Sequence, residues 1–156
     1  MRTFYRYFDS KLDVVVARTS DSPTIEDVMQ AVVARPPSET PVTALRQVFY
    51  QAIVLNRDLD SPDSVGGRQD LVMLTTPSLT ALRREHFHRI ELGFASAIAT
   101  RLGRAPDDID SRLLAAAFIA ALELSVDRWL AAGRPRGRLW PTLSEAIDRL
   151  DHHFPS

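Results

Sequence analysis

Apolar side chains along this chain recur at three- and four-residue intervals, which places them on single faces of α-helices. No segment alternates as a half-buried strand would. Ser10-Lys11-Leu12-Asp13 reads as a capping box opening a first helix to about Ala17, which loosens at Thr19-Ser20-Asp21-Ser22-Pro23. A second helix restarts at Thr24, with Asp27 three residues on and Ile25, Val28, Met29 and Val32 as its stripe. Arg35-Pro36-Pro37 ends it, because a residue before proline is pushed out of helical geometry. Thr40-Pro41 opens a third, with proline in the first turn where its missing N–H costs nothing. Val42, Leu45, Val48, Phe49, Ala52 and Ile53 form its inner face.

Residues 58–67 (DLDSPDSVGG) read as a loop, and a short helix is predicted over 69–74. From Thr76-Pro77 a long helix is predicted with Leu79, Leu82, Ile90, Phe94, Ala97 and Leu102 inward and Gly103 as its stop. Asp110 is expected to cap the next helix. Its segment 113–124 (LLAAAFIAALEL) is apolar nearly all round, and such a helix must be covered on more than one side. Thr142-x-x-Glu145 reads as a second capping box, with Leu143, Ile147, Leu150 and Phe154 on one face of a terminal helix. The expectation is an all-α fold.

Composition narrows the class. At 156 residues the chain is long enough for one domain with a sizeable core. No uncharged apolar run approaches the roughly 18 residues a membrane helix needs, and the opening MRTFYRYFDSK lacks the apolar stretch of a signal peptide. The absence of cysteine excludes disulfides and thiolate zinc sites and makes the cytoplasm the expected location. A net charge of −1 argues against a surface that embraces nucleic acid as a whole.

Candidate chemistry is sparse. His86 and His88 lie two apart, on nearly opposite sides of a helix, whereas paired metal ligands want spacings of three or four; one is expected inward and one at the surface. His152-His153 read as solvated. Gly66-Gly67 follows no strand, so it is no phosphate loop. Arg134, Arg136 and Arg138 lie in a Pro/Gly loop and read as a solvated run. Neither a Ser/His/Asp set nor a carboxylate pair can be argued, so no enzyme, metal or cofactor is expected. Glu123, in the most apolar helix, is either part of a wet stripe with Asp127 or a polar anchor in a cavity or interface. Glu91 carries the same two readings.

One stretch is specific. TFYRYFDSK resembles the end of the TetR-family helix-turn-helix: an aromatic-rich recognition helix, a closing phenylalanine, and a Ser-Lys start to the connecting helix. Thr3, Phe4, Tyr5, Arg6, Tyr7, Phe8, Ser10 and Lys11 carry the match, although Leu12 stands where the family usually has an acid and Asp13 follows. The segments TTPSLTALRREHF, ASAIATRLGR and DSRLLAAAFIAAL, then Trp129-Leu130, resemble the C-terminal body of actinobacterial regulators of that type.

The resemblance implies that residues 1–9 are a remnant of the recognition helix, with Thr3, Tyr5, Tyr7 and Lys11 toward DNA, and that 10–156 form an effector-binding and dimerisation domain. It implies a homodimeric transcriptional repressor that meets operator DNA when the upstream helices are present, with DNA binding impaired without them. A small hydrophobic effector would enter a cavity lined by Phe49, Met73, His86, Phe87, Phe94, Phe118 and Glu123. The last two helices would pair with a second subunit through Leu122, Val126, Trp129, Ile147 and Leu150. The alternative is a helical protein-interaction module without a ligand.

Overall fold

The computed structural model describes residues 25–51, 72, 75–135 and 137–153, and every regular element among them is helical. The predicted helix over 10–17, the loop over 58–67 and, apart from Val72, the short helix over 69–74 lie outside the described residues. The elements are α1 (Ile25–Ala34), α2 (Pro41–Tyr50), α3 (Thr80–Arg101), α4 (Ile109–Ala131) and α5 (Leu139–His153). A single 3-10 turn, Pro77–Leu79, leads into α3. Helix α4 packs between α3 and α5; α1 lies on α3, and α2 closes the body against α1 and α5.

Local signals place most of the ends. The Thr40 hydroxyl caps α2 by accepting from the Thr43 amide at 3.2 Å, and Pro41 takes the first turn. Helices α3 and α4 end alike. Gly103 and Gly133, at φ +64° and +81°, occupy the left-handed position just past each helix. The next amides, of Arg104 and Arg134, reach back five residues to the carbonyls of Ala99 and Trp129 at 2.8 and 2.9 Å. That pattern satisfies carbonyls a helix end would otherwise leave orphaned.

Three boundaries differ from expectation. Asp108, not Asp110, caps α4: its carboxylate accepts from the Ser111 amide at 2.9 Å and the Ser111 hydroxyl at 2.7 Å. Ser111 is 1% exposed, so the residue that can bury its own hydroxyl against the cap decides between two neighbouring aspartates. Helix α5 starts a turn before the Thr142 box, at Leu139, which is buried; Thr142 instead donates its hydroxyl to the Arg138 carbonyl at 2.9 Å. Pro141 then sits within the first turn, where it breaks no bond. Leu102, expected inward, is 42% exposed, because α3 stops at Arg101 and Leu102 is its cap residue.

The core is one cluster. Val32 of α1, Val42, Leu45 and Val48 of α2, Phe87, Phe94 and Ile98 of α3, Phe118 and Leu122 of α4 and Leu139, Leu143 and Ile147 of α5 join in it. Burial on α3 spans Phe94, Ala95, Ala97, Ile98 and Ala99, wider than one stripe, because α1 and α4 cover it from two sides. At Gly93 a Cβ would collide with the thioether end of Met29, so this glycine leaves the room in which the Met29 side chain of α1 packs on α3.

Past α1 the turn 35–39 contains Pro36 and Pro37, which donate no amides, and its carbonyls need a partner. Arg101 supplies it from 62 to 66 residues away. Its Nη1 donates to the Arg35 carbonyl at 2.6 Å, and Nη2 donates to the Glu39 carbonyl at 2.7 Å and to that of Pro36. Met29 beside Gly93 and Arg35 beside Arg101 mean that α1 and α3 run parallel, so their negative C-terminal ends lie together. One guanidinium neutralises both. Glu39 completes the corner by gripping Arg35 through both oxygens.

Two predictions follow from the corners. Arg101→Ala should lower unfolding free energy by about 2 kcal/mol in denaturant titration, the scale of charge-assisted hydrogen bonds with their carbonyls left unpaired. Arg101→Lys should recover only part, since an ammonium cannot span the three acceptors as a planar fork does. Acid is the second test. The Arg35 hydrogen bond holds the Glu39 carboxyl below its ordinary value, and the Ser111 hydroxyl and amide, with Arg104, do the same for Asp108. Groups depressed in the folded state stabilise above their unfolded pKa, near pH 4, and lose that contribution as pH falls through the folded value. The melting temperature should therefore fall below about pH 4, and less steeply in Asp108→Asn than in the parent.

Candidate functional site

The phenylalanines expected around a ligand do come together. Phe49 of α2 meets Phe94 of α3 and Phe118 of α4, with ring centroids 5.4 and 4.9 Å apart, and Phe94 to Phe118 is 6.4 Å. All three pairs are tilted or edge-on, the arrangement ring quadrupoles favour. Phe94 and Phe118 are fully buried and Phe49 partly so; the cluster is the meeting point of three helices. Two turns before Phe94, Phe87 is buried and His86 half-buried with its ring edge-on to Phe87, while His88 is exposed. The two histidines thus take the inner and outer sides their spacing implies. Met73 lies outside the described residues, as do Thr3, Tyr5, Tyr7 and Lys11.

Glu123 does not join this group. It follows Phe118 by five residues, roughly 140° round the helix, so it sits half-buried on a flank of α4 facing away from the rings. No ion pair or hydrogen bond engages its carboxylate among the described residues. Glu91 is likewise half-buried.

The residues expected at a subunit contact are also redistributed. Leu122, Val126 and Trp129 are buried within the chain, and Ile147 is completely so. Trp129 also donates its indole N–H to the Pro135 carbonyl at 3.1 Å, pinning the loop between α4 and α5. Of the five, Leu150 alone lines an open surface. That surface is a groove of about 380 Å³ between α4 and α5, lined by Ala117, Ala120, Ala121, Leu124, Ala146 and Leu150 among others, with Arg128, Glu145 and Arg149 at its edges.

The groove belongs to a longer apolar face. Ile109, Leu113 and Leu124 are 71%, 64% and 53% exposed. With Ala117 and Ala120 they recur at intervals of four, four, three and four, one continuous stripe on α4. The buried side of α4 faces α3 and α5, so the uncovered stripe is what the other described helices leave open. Sequence reading missed these residues because an all-round apolar helix has no phase to say which side stays open.

Across the body, Arg46 of α2 bonds the Ser144 hydroxyl and the Asp148 carboxylate of α5, both at 2.6 Å, holding α5 in place beneath the groove. Arg83 of α3 approaches Asp127 of α4 at 3.8 Å. Among the described residues no cluster of three metal-ligating side chains forms, and no helix is long and apolar enough to cross a membrane.

No curated protein matches the chain. Residues 39–155, which take in α2 to α5, match the family described as the MftR C-terminal domain. The chain belongs to the MftR C-terminal domain family of TetR-type regulators and carries the effector-binding and dimerisation part of such a protein.

Proposed function

We propose that this chain is the sensing and dimerising half of a cytoplasmic transcriptional repressor, in which two copies pair through α4 and α5 and a small hydrophobic molecule binds near the aromatic centre. The observation that carries the reading is the uncovered stripe Ile109–Leu113–Leu124 beside an apolar groove, a contiguous face of the kind that marks an interaction surface. Isologous pairing suits it, because one patch then serves both subunits. The effector would be met by Phe87 and His86 at the margin of the Phe49–Phe94–Phe118 cluster; rings backed by core hold an apolar ligand while a half-buried imidazole orients its polar end. Ligand binding there would bias α3, and through its contacts with α1 the chain leading to a DNA-reading head, shifting the population that fits the operator.

Leu124→Glu tests the pairing. The side chain is exposed, so the variant should keep its helix content and fold, but sediment as a monomer at micromolar concentration where the parent sediments as a dimer. A monomeric parent would end this reading. DNA binding gives a second test. With a net charge of −1, the chain by itself should show no preference for an operator over random duplex at physiological salt. Joined to a complete helix-turn-helix it should bind with steep salt dependence, and Lys11→Ala should weaken that binding by removing a phosphate contact. Discrimination between operator and random duplex by the 156-residue chain alone would overturn the assignment of reading to other helices.

A further inference from the structure

The corners after α3 and α4 are built on the same two residues and then differ in charge. Gly103-Arg104 follows α3, and Arg104 bonds the carboxylates of Asp108 and Asp110 at 3.2 and 2.9 Å. Gly133-Arg134 follows α4, and no acid stands between Asp127 and Glu145 to balance Arg128, Arg134, Arg136 and Arg138. The side chains of Arg128, Arg134 and Arg138 are exposed, and none has an ion pair or hydrogen bond among the described residues.

Folding accounts for only the first of these. Arg128 lies in the last turn of α4, where a cation suits the negative helix end. Arg134 holds φ at +59°, the left-handed backbone that glycine takes freely and other residues take at a cost. Every other positive φ among the described residues belongs to glycine. Arg138 directly precedes α5, beside the positive end of a helix whose first turn carries no acid. Both arginines work against the fold they stand in, so their charges suit a partner outside the chain.

Position selects that partner. Arg83 beside Asp127 shows α4 returning antiparallel to α3, so the loop 132–138 lies at the end where α3 begins. Helix α1 runs parallel to α3, so its first residue, Ile25, is directed toward that same end, from which the preceding part of the chain enters. Resting on the regulator reading above, we propose that the loop between α4 and α5 is a second DNA contact, in which Arg134 and Arg138 hold the phosphodiester backbone beside the site taken by the reading head. Exposed guanidiniums with no carboxylate to occupy them match phosphate, whose oxygens accept their paired N–H groups. Such a contact adds affinity and fixes orientation without reading bases. It is compatible with a net charge of −1, because the positive charge it needs is confined to one loop.

The test titrates a labelled random-sequence duplex with the 156-residue chain, by fluorescence anisotropy, from low to physiological salt. The parent should bind at low salt, with log affinity falling against log salt by a slope of about 0.9 for each phosphate contact. A variant carrying Arg134→Gly and Arg138→Gln should show a slope smaller by about 2 for each loop engaged, and glycine at the left-handed position keeps the turn intact. Arg112→Gln removes an exposed arginine near the opposite end of α4 and should leave the slope unchanged. A parent that ignores the duplex at low salt, a double variant with the parental slope, or an equal loss in Arg112→Gln overturns the proposal. Tighter binding of polyglutamate than of duplex does so too, by assigning the loop to an acidic protein. Sedimentation of the same samples separates the two readings: a monomeric parent removes the regulator reading beneath the proposal, whereas a dimer whose DNA binding ignores these arginines removes the proposal alone.

Discussion

Residues 113–124 point apolar side chains in nearly every direction around α4, and water cannot be left against all of them. That demand organises the body. Helix α3 takes one side with Phe94 and Ile98, α5 takes another with Leu139, Leu143 and Ile147, and α2 delivers Phe49 to Phe118. Fully burying a side chain of that size is worth about 1.5–3 kcal/mol, so each covering helix is strongly held. A chain of this length has no further helix among its described residues for the remaining face, and the stripe through Ile109, Leu113 and Leu124 stays open.

Polar groups do their work at the corners. Arg101, Asp108, the paired left-handed glycines and the Arg46 link to α5 each satisfy groups that helix ends or buried flanks would leave without partners. Two solutions appear side by side. Where the turn can wind left-handed, as at Gly103 and Gly133, the backbone closes on itself. Where prolines forbid that, after α1, a side chain from a distant helix is brought in. The second solution ties α1 to the end of α3.

The aromatic meeting point is built from α2, α3 and α4, the open face from α4 and α5, so α4 contributes Phe118 to one and Leu124 to the other. The two surfaces are on different azimuths of α4 and share no side chain.

Sequence by itself determined what depends on neighbours within a turn or two. The helical class, the Thr40 cap, the proline break at 35–37, the Gly103 stop and the inward face of α2 as far as Phe49 all follow from near neighbours in the chain, and each is present, while Ala52 and Ile53 of that face lie outside the described residues. The resemblance named the family, and the companionship of Phe49, Phe94 and Phe118 was legible as well. What the tertiary structure decided were choices between local equals. Asp108 and Asp110 both suit a helix start, and burial of Ser111 selected the first. Every face of α4 is apolar, and only the placement of α3 and α5 settled that Leu122, Val126 and Trp129 go inside while Ile109, Leu113 and Leu124 face out. Arg101 looked like any last-turn arginine until its carbonyl partners, more than 60 residues earlier, were folded against it. Helical periodicity is a property of the strand of chain that makes the helix, whereas coverage is a property of whatever else arrives beside it.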